Sequence, residues 1–365
     1  MHVAVDAREL CGRPTGVGRY LAGLLDAWSD NPTARRHTWT LYSHARPQLP
    51  GHWQEHVRVI EGGGGTAWEQ LSLPRALAAQ RPDVLFAPGY TAPLTVAAPV
   101  VLTVHDVSFF AHPEWFAFRE GTRRRVLTAW SARRARRVIT DSQFSKSEIT
   151  RHIGIDESRV RVIPLGINRP SGSRFGEPGS RRDPIVLFVG SIFARRRVDR
   201  LIEAFDDVAE RVPGARLEIV GENRTRSPRL DLEALRRSRR HGDRIQLRSY
   251  VDENTLHALY SRASVLAFLS EYEGFGFTPL EALAAGVVPV VLDTPIARET
   301  LGAGARYVSP SAPTVQVADA IAELLTNVAS REELLQRAIP VLGNYDWDLA
   351  AADTLKVIEE AALGR

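Results

Sequence analysis

The chain has 365 residues, 44% hydrophobic and 25% charged, with a formal net charge of +4. That is more chain than one typical core and suits two domains of ordinary globular composition. The charge is too mild to imply a nucleic-acid partner, and no apolar run approaches the roughly 20 residues of a membrane-spanning helix. Cys11 is the only cysteine, which excludes an intrachain disulfide. The first residues read as a strand and lack the features of a signal peptide, so the cytoplasm is the expected compartment. Basic residues are nearly all arginine, with Lys146 and Lys356 the only lysines. This suits GC-rich coding, and it also suits bidentate binding of phosphate or anionic lipid.

In chain order, short apolar runs alternate with helix-like segments, the pattern of βα units and parallel sheets. Strands are predicted at Val3–Val5, Trp39–Tyr42, Val57–Ile60, Val84–Phe86, Val100–Val104, Val138–Thr140 and Val160–Ile163. Helical patterns run from Gly18 to Trp28 and from Ser145 to Ile153. Pro170 to Pro184 is rich in Gly, Ser, Pro and Arg and reads as a linker. The βα pattern then restarts, with strands predicted at Ile185–Val189, Leu217–Val220, Ile245–Leu247, Val265–Phe268 and Val288–Leu292. A helix from Leu280 to Ala285, ended by Gly286, lies between the last two. The expected architecture is two doubly wound α/β domains joined by one linker.

The strongest local pattern is Glu273-Gly274-Phe275-Gly276-Phe277-Thr278-Pro279-Leu280-Glu281. Glycines in a strand-to-helix turn let a ligand approach the backbone, and the helix start offers unpaired N–H groups. Glu273 in the turn and Glu281 on the helix would serve different ends of one ligand, a carboxylate beside vicinal hydroxyls accepting two hydrogen bonds. The same spacing also fits a loop glutamate followed by a surface glutamate. Gly16-x-Gly18 follows the first strand, but Leu21 stands where a dinucleotide fingerprint needs its third glycine. Gly62 to Gly65 has no following Gly-Lys-Ser/Thr and reads as a mobile surface loop. His105 sits at the end of a strand, where α/β sheets bind ligands, although a lone histidine is as readily structural. The other histidines have no zinc spacing, no Asp-x-Asp stands in a suitable loop, and no bound metal is expected.

Several ordered motifs together closely resemble family 4 glycosyltransferases, the retaining enzymes of GT-B architecture. They are Asp6-Ala7-Arg8 with Thr15-Gly16-Val17-Gly18-Arg19-Tyr20, Val104-His105-Asp106, Ser142-Gln143-Phe144-Ser145, Pro164-Leu165-Gly166-Ile167-Asn168, Phe188-Val189-Gly190-Ser191 with Arg195-Arg196, and the Glu273-x7-Glu281 segment. The resemblance implies an α/β GT-B fold, two Rossmann-like doubly wound domains facing across a cleft. Residues 1–168 would form the acceptor-side domain, 169–183 the linker and 184–345 the nucleotide-sugar domain. Residues 346–365 would form a helix packing back on the first domain. It further implies a nucleotide-diphosphate sugar as donor substrate and no tightly bound cofactor. Catalytic roles would fall to Glu273, His105 and Arg196. Gly16 and Gly18 would lie near the phosphates. Gly190, Ser191, Arg195 and Arg196 would grip the diphosphate, and the backbone at Tyr250 and Val251 would meet the base. Glu281 would hold the ribose, and Glu273, Gly274, Phe275, Gly276 and Phe277 the sugar. The family usually has Arg-Lys where this chain has Arg195-Arg196, so Arg197 also enters consideration.

The resemblance puts GDP-mannose first as donor, with UDP- and dTDP-sugars next, and a glycan, lipid-linked or small-molecule acceptor. Arg119 to Arg137 holds eight arginines near Trp115, Phe116, Phe118 and Trp130, a composition suited to peripheral contact with anionic lipid on the inner face of the plasma membrane. At 100° per residue those arginines spread around the helical wheel, which equally suits a solvated helix. A sugar-nucleotide epimerase or phosphorylase on the same scaffold, and a non-catalytic nucleotide-sugar-binding protein, are the alternatives. Scarce lysine counts against a pyridoxal-dependent phosphorylase, and the paired glutamates and arginines count against lost catalysis.

Overall fold

The computed structural model describes residues 1–12, 15–168, 182–225 and 229–364. They divide into two compact units, Met1–Gly166 with Tyr345–Arg365, and Ile167–Asn344. The expected linker, 169–183, lies outside the described residues except for its last two.

The first unit holds seven strands among its described residues: β1 (His2–Asp6), β2 (Thr38–Ser43), β3 (Val57–Val59), β4 (Val84–Ala87), β5 (Val100–Thr103), β6 (Arg137–Thr140) and β7 (Val160–Val162). All pair parallel in the order β3-β2-β1-β4-β5-β6-β7. Strands β4 and β5 are buried throughout, as expected of a sheet covered on both faces. The intervening helices are α1 (Gly16–Asp30), α2 (Gly51–Gln54), α3 (Leu73–Gln80), α4 (Ser108–Ala111), α5 (Phe118–Arg134) and α6 (Gln143–Ile153). Two helices start earlier than the apolar pattern predicts because their caps lie further upstream. Thr15 accepts from the Gly18 amide at α1, and Ser142 from the Ser145 amide at α6.

The second unit holds β8 (Asp183–Val189), β9 (Arg216–Val220), β10 (Ile245–Arg248), β11 (Ala263–Phe268), β12 (Val288–Leu292) and β13 (Arg306–Val308), all parallel in the order β10-β9-β8-β11-β12-β13. Its helices are α7 (Val198–Arg211), α8 (Leu232–Arg237), α9 (Glu253–Arg262), α10 (Phe277–Ala284), α11 (Pro295–Leu301), α12 (Thr314–Thr326) and α13 (Val328–Leu342). Pro184, read from sequence as the end of the linker, instead lies inside β8, near the start of the strand, where its missing N–H is tolerated. The short strand β13 has no sequence signal, since Arg306 and Tyr307 are only half-buried.

Helix α14 (Trp347–Ala362) returns to the first unit, with Asp346 accepting from the amides of Asp348 and Leu349 as its cap. It packs along α1, and Trp28 Nε1 donates to the Ala351 carbonyl at 2.9 Å. The Trp347 ring explains two glycines. A Cβ at Gly23 would stand 2.6 Å from that ring, and one at Gly166 only 2.2 Å. Gly166 is also the last residue of the first stretch of the unit.

Candidate active site

In the second unit the chain runs from β8 outward to β9 and β10, then returns to β11 on the other side of β8. The carboxyl ends of β8 and β11 therefore flank a topological switch point, the place where open α/β sheets bind ligands. After β8, Gly190 has φ +129° and donates to the Val220 carbonyl at 2.9 Å. A Cβ there would stand 2.7 Å from Arg196 Nη1, so glycine is what admits the guanidinium. A one-turn helix, Ala194–Arg196, then presents the arginines.

After β11, the Glu271 amide donates to the Arg195 carbonyl at 2.9 Å and ties the two loops together. Arg196 bridges them again. Its Nε donates to Glu273 Oε1 at 2.9 Å and its Nη1 to the Ser191 carbonyl at 2.9 Å. The same Glu273 oxygen accepts from Ser270 Oγ at 2.9 Å. Arg196 is 14% and Glu273 19% exposed, so the pair is largely shielded but reachable. The guanidinium also lies 4.9 Å from the Phe268 ring centroid. Arg197 is committed elsewhere: it adopts φ +47°, pairs with Glu271 and donates Nη1 to the Pro310 carbonyl. Arg195 stacks on Phe193, 4.4 Å from the ring centroid. The three arginines, indistinguishable in sequence, thus have three different settings.

Gly276 precedes α10 with φ +92° and open space around it, which starts the helix at Phe277 rather than at the expected Leu280. Gly274 and Phe275 are buried, and Phe275 meets Phe277 edge-on at 5.4 Å. Glu281 is partly exposed on α10. Tyr250 (69% exposed) and Val251 follow β10, the edge strand, just before Asp252 caps α9. They share the carboxyl edge of the sheet with Arg196 and Glu273 but not the switch point.

In the first unit the strand order reverses between β1 and β4. Gly16 is exposed at the start of α1 with open space beside it, whereas a Cβ at Gly18 would stand 2.5 Å from the Glu9 carbonyl oxygen. Packing against Glu9 therefore requires the second glycine of the pair. Behind this turn lies a charge cluster that the sequence reading missed. Arg8 pairs with Asp6 at 3.3 Å and with Glu69, and Thr91 Oγ1 donates to Glu69 Oε1 at 2.6 Å. Burial pushes the Asp6 carboxyl up to about 6, against the pull of Arg8. Glu69 is turned inward by a π-helical turn, Trp68–Ser72, a feature common at functional sites.

His105 follows β5, and both of its ring nitrogens are engaged: Nδ1 with Asp141 at 2.7 Å and Nε2 with the Pro88 carbonyl at 2.9 Å. Its own carbonyl accepts from Ser145 Oγ at 3.0 Å. Tyr90, at φ +59°, donates its hydroxyl to Asp106 at 2.8 Å. Asp141 was the missed partner, and its place directly after a predicted strand was the available signal.

Residues 14–169 match the model for glycosyltransferase family 4, and residues 173–339 the model for glycosyl transferases group 1. An O-antigen chain mannosyltransferase of Salmonella typhimurium is 24% identical over 247 residues, 68% of this chain and 65% of that protein. A GDP-mannose:cellobiosyl-diphosphopolyprenol alpha-mannosyltransferase of Komagataeibacter xylinus is 27% identical over 274 residues, 72% of this chain and 67% of that one. The chain thus spans about two thirds of the length of these relatives. Among solved structures, a sucrose-phosphate synthase of Thermosynechococcus elongatus matches with TM-score 0.79 at 18% identity, covering 100% of both chains. The Anabaena protein HepE in complex with UDP-glucose matches with TM-score 0.72 at 17% identity, covering 98% of this chain and 99% of that one. The fold class is GT-B, and with its two stretches matched in order by these two models, the chain belongs to the family 4 glycosyltransferases.

Proposed function

We propose that this glycosyltransferase moves a hexose from a nucleoside-diphosphate sugar onto a hydroxyl of a glycan, lipid-linked or small-molecule acceptor, with retention of anomeric configuration. The observation that carries the reading is Arg196, held between the Ser191 carbonyl and Glu273 at the switch point of the second unit. A guanidinium there suits a diphosphate, and a carboxylate beside it suits the hydroxyls of the attached sugar. GDP-mannose stands first among donor substrates because two mannosyltransferases are among the relatives, one of them named for GDP-mannose. UDP-glucose, bound by the structural neighbour HepE, is the runner-up.

Retention requires either two inversions through a nucleophile or attack from the face the diphosphate leaves. Glu273 Oε1 already accepts from Arg196 and Ser270, which weakens it as a nucleophile. Front-face substitution is therefore the proposed route. Arg195 and Arg196 stabilise the departing diphosphate, which takes the acceptor's proton as the new C–O bond forms. Glu281 holds the ribose. Nucleotide release measured across GDP-, UDP- and dTDP-sugars tests the reading, with the product anomer read by NMR. Release with none of them, or an inverted product, overturns it. Arg196→Ala should weaken nucleoside-diphosphate binding by about 1.5–3 kcal/mol, and calorimetry giving unchanged affinity would remove Arg196 from the site.

A second reading concerns α5. The structure sorts its arginines better than the wheel predicted: Arg125 turns inward to the Phe109 carbonyl at 3.1 Å, while Arg119, Arg123, Arg133 and Arg134 are exposed beside Val126 and Trp130. Trp130 is 56% and Phe118 83% exposed. This face suits an anionic bilayer, with the aromatic rings at the headgroup level and arginines on lipid phosphates. No helix among the described residues is long and apolar enough to cross a membrane. Vesicle co-sedimentation should therefore require anionic lipid and fall on Trp130→Ser with Arg123→Glu. Equal binding to neutral vesicles would refute it.

A further inference from the structure

The hydrogen bonds of His105 fix where its protons are. Nε2 faces the Pro88 carbonyl oxygen at 2.9 Å, and a carbonyl only accepts, so Nε2 carries a proton. Nδ1 faces Asp141 Oδ2 at 2.7 Å. An ionised carboxylate also only accepts, which places a second proton between Nδ1 and Oδ2. Asp141 is 2% exposed and follows β6, and its Oδ1 is buried with no hydrogen-bond partner among the described residues. Among the described residues the ring is the only hydrogen-bond partner of this carboxylate.

The surroundings leave Asp141 in control. Asp106, next in the chain, is occupied by the Tyr90 hydroxyl and the Ser108 amide, each at 2.8 Å. From α1 and from the turn after β4 the ring meets two phenols, Tyr20 at 4.9 Å and Tyr90 at 5.6 Å between centroids. Among the described residues no cation forms an ion pair with Asp141 in competition with His105.

We infer that Asp141 is a positioning residue that holds His105 doubly protonated, so that this histidine is not the base that deprotonates the acceptor. Burial opposes a charge on the ring, but the Asp141 carboxylate and its hydrogen bond outweigh it and raise the affinity of His105 for its proton above the ordinary value. The Asp141 carboxyl is also raised, by burial, which favours keeping the shared proton within the pair. The protonation state rests on the two hydrogen bonds together with an ionised Asp141. Its meaning for transfer rests on the proposed function: with the ring locked, the acceptor's proton goes to the leaving diphosphate as the bond from the anomeric carbon to that phosphate breaks.

The test is ring nitrogen NMR on the full chain labelled with nitrogen-15, with the His105 signals assigned by their loss in His105→Gln. Both nitrogens of wild type are expected to stay protonated above the ordinary histidine value, where a free imidazole has lost one proton. In Asp141→Asn the amide can donate to Nδ1, so the contact survives while the proton leaves. That ring is expected to be singly protonated at neutral pH. A wild-type ring titrating at or below the ordinary value of about 6.5 overturns the inference, as does an unchanged ring in Asp141→Asn. Activity supplies a separate readout. Asp141→Asn should lower kcat by about tenfold while nucleotide affinity stays within about twofold. A wild-type kcat that rises as His105 loses its proton would restore it as a base and refute the inference. Absence of transfer from every nucleotide sugar would defeat the proposed function while leaving the NMR result standing.

Discussion

Single side chains decide the chemistry on offer. Arg196 stands where the family resemblance leads one to expect lysine, and its geometry exploits the difference. A planar fork reaches the Ser191 carbonyl and Glu273 together, which a single ammonium on a flexible stem does not reproduce. Arg196→Lys should therefore keep much of the affinity for nucleoside diphosphate yet lose more in kcat, because Glu273 is no longer held. Steady-state kinetics beside calorimetry separates the two, and equal losses would refute the bridging role. Asp6 makes a prediction in pH. Its folded-state value of about 6 exceeds that of an unfolded aspartate, so the folded chain binds the proton more tightly. The resulting stability is fully present below about pH 4 and is lost as pH rises through 6, an amount near 3 kcal/mol. Asp6→Asn does not titrate. Its stability relative to wild type should therefore rise between pH 4 and 7, and denaturant titrations showing a constant difference would exclude this assignment. Residue identities were legible in the sequence; their partnerships were not. Arg196 and Glu273 stand far apart in the chain, and only the return from β10 to β11 beside β8 brings them together.

At the scale of elements, legibility followed burial. Continuous apolar runs gave β4, β5, β8, β11 and β12 their positions, because strands covered on both faces leave that pattern. The π-helical turn at Trp68–Ser72 left no such trace, and neither did β13. Helix starts were set by Thr15, Ser142 and Gly276 rather than by the first apolar residue. Gly276 offers a clean measurement. Space around it is open, so Gly276→Ala should cost only the left-handed backbone penalty, about 1 kcal/mol, and an unchanged stability would contradict the φ of +92°. Gly23 differs, since an added methyl meets the Trp347 ring. Gly23→Ala should cost about 1–3 kcal/mol in wild type and distinctly less when Trp347 is already alanine. Additive costs in that cycle would mean the ring does not dictate the glycine.

At the scale of the whole molecule, the two-domain reading and the βα alternation followed from length and pattern, whereas the double crossing of the chain did not follow from composition. The chain leaves the first unit after Gly166 and re-enters it at Tyr345. Removing 345–365 should therefore harm the distant first unit more than the adjacent second one. Hydrogen exchange should show β1 and α1 losing protection while β8 and β11 keep theirs, and uniform loss would refute the division. The same route through space sets an order in time. A ribosome making this chain completes Ile167–Asn344 before it supplies the helix carrying Ala350, Leu355 and Ile358, which are buried in the finished first unit. The half that is begun first is therefore the half closed last. Throughout that interval the part of α1 that α14 will cover stays open, which is a surface a chaperone would find.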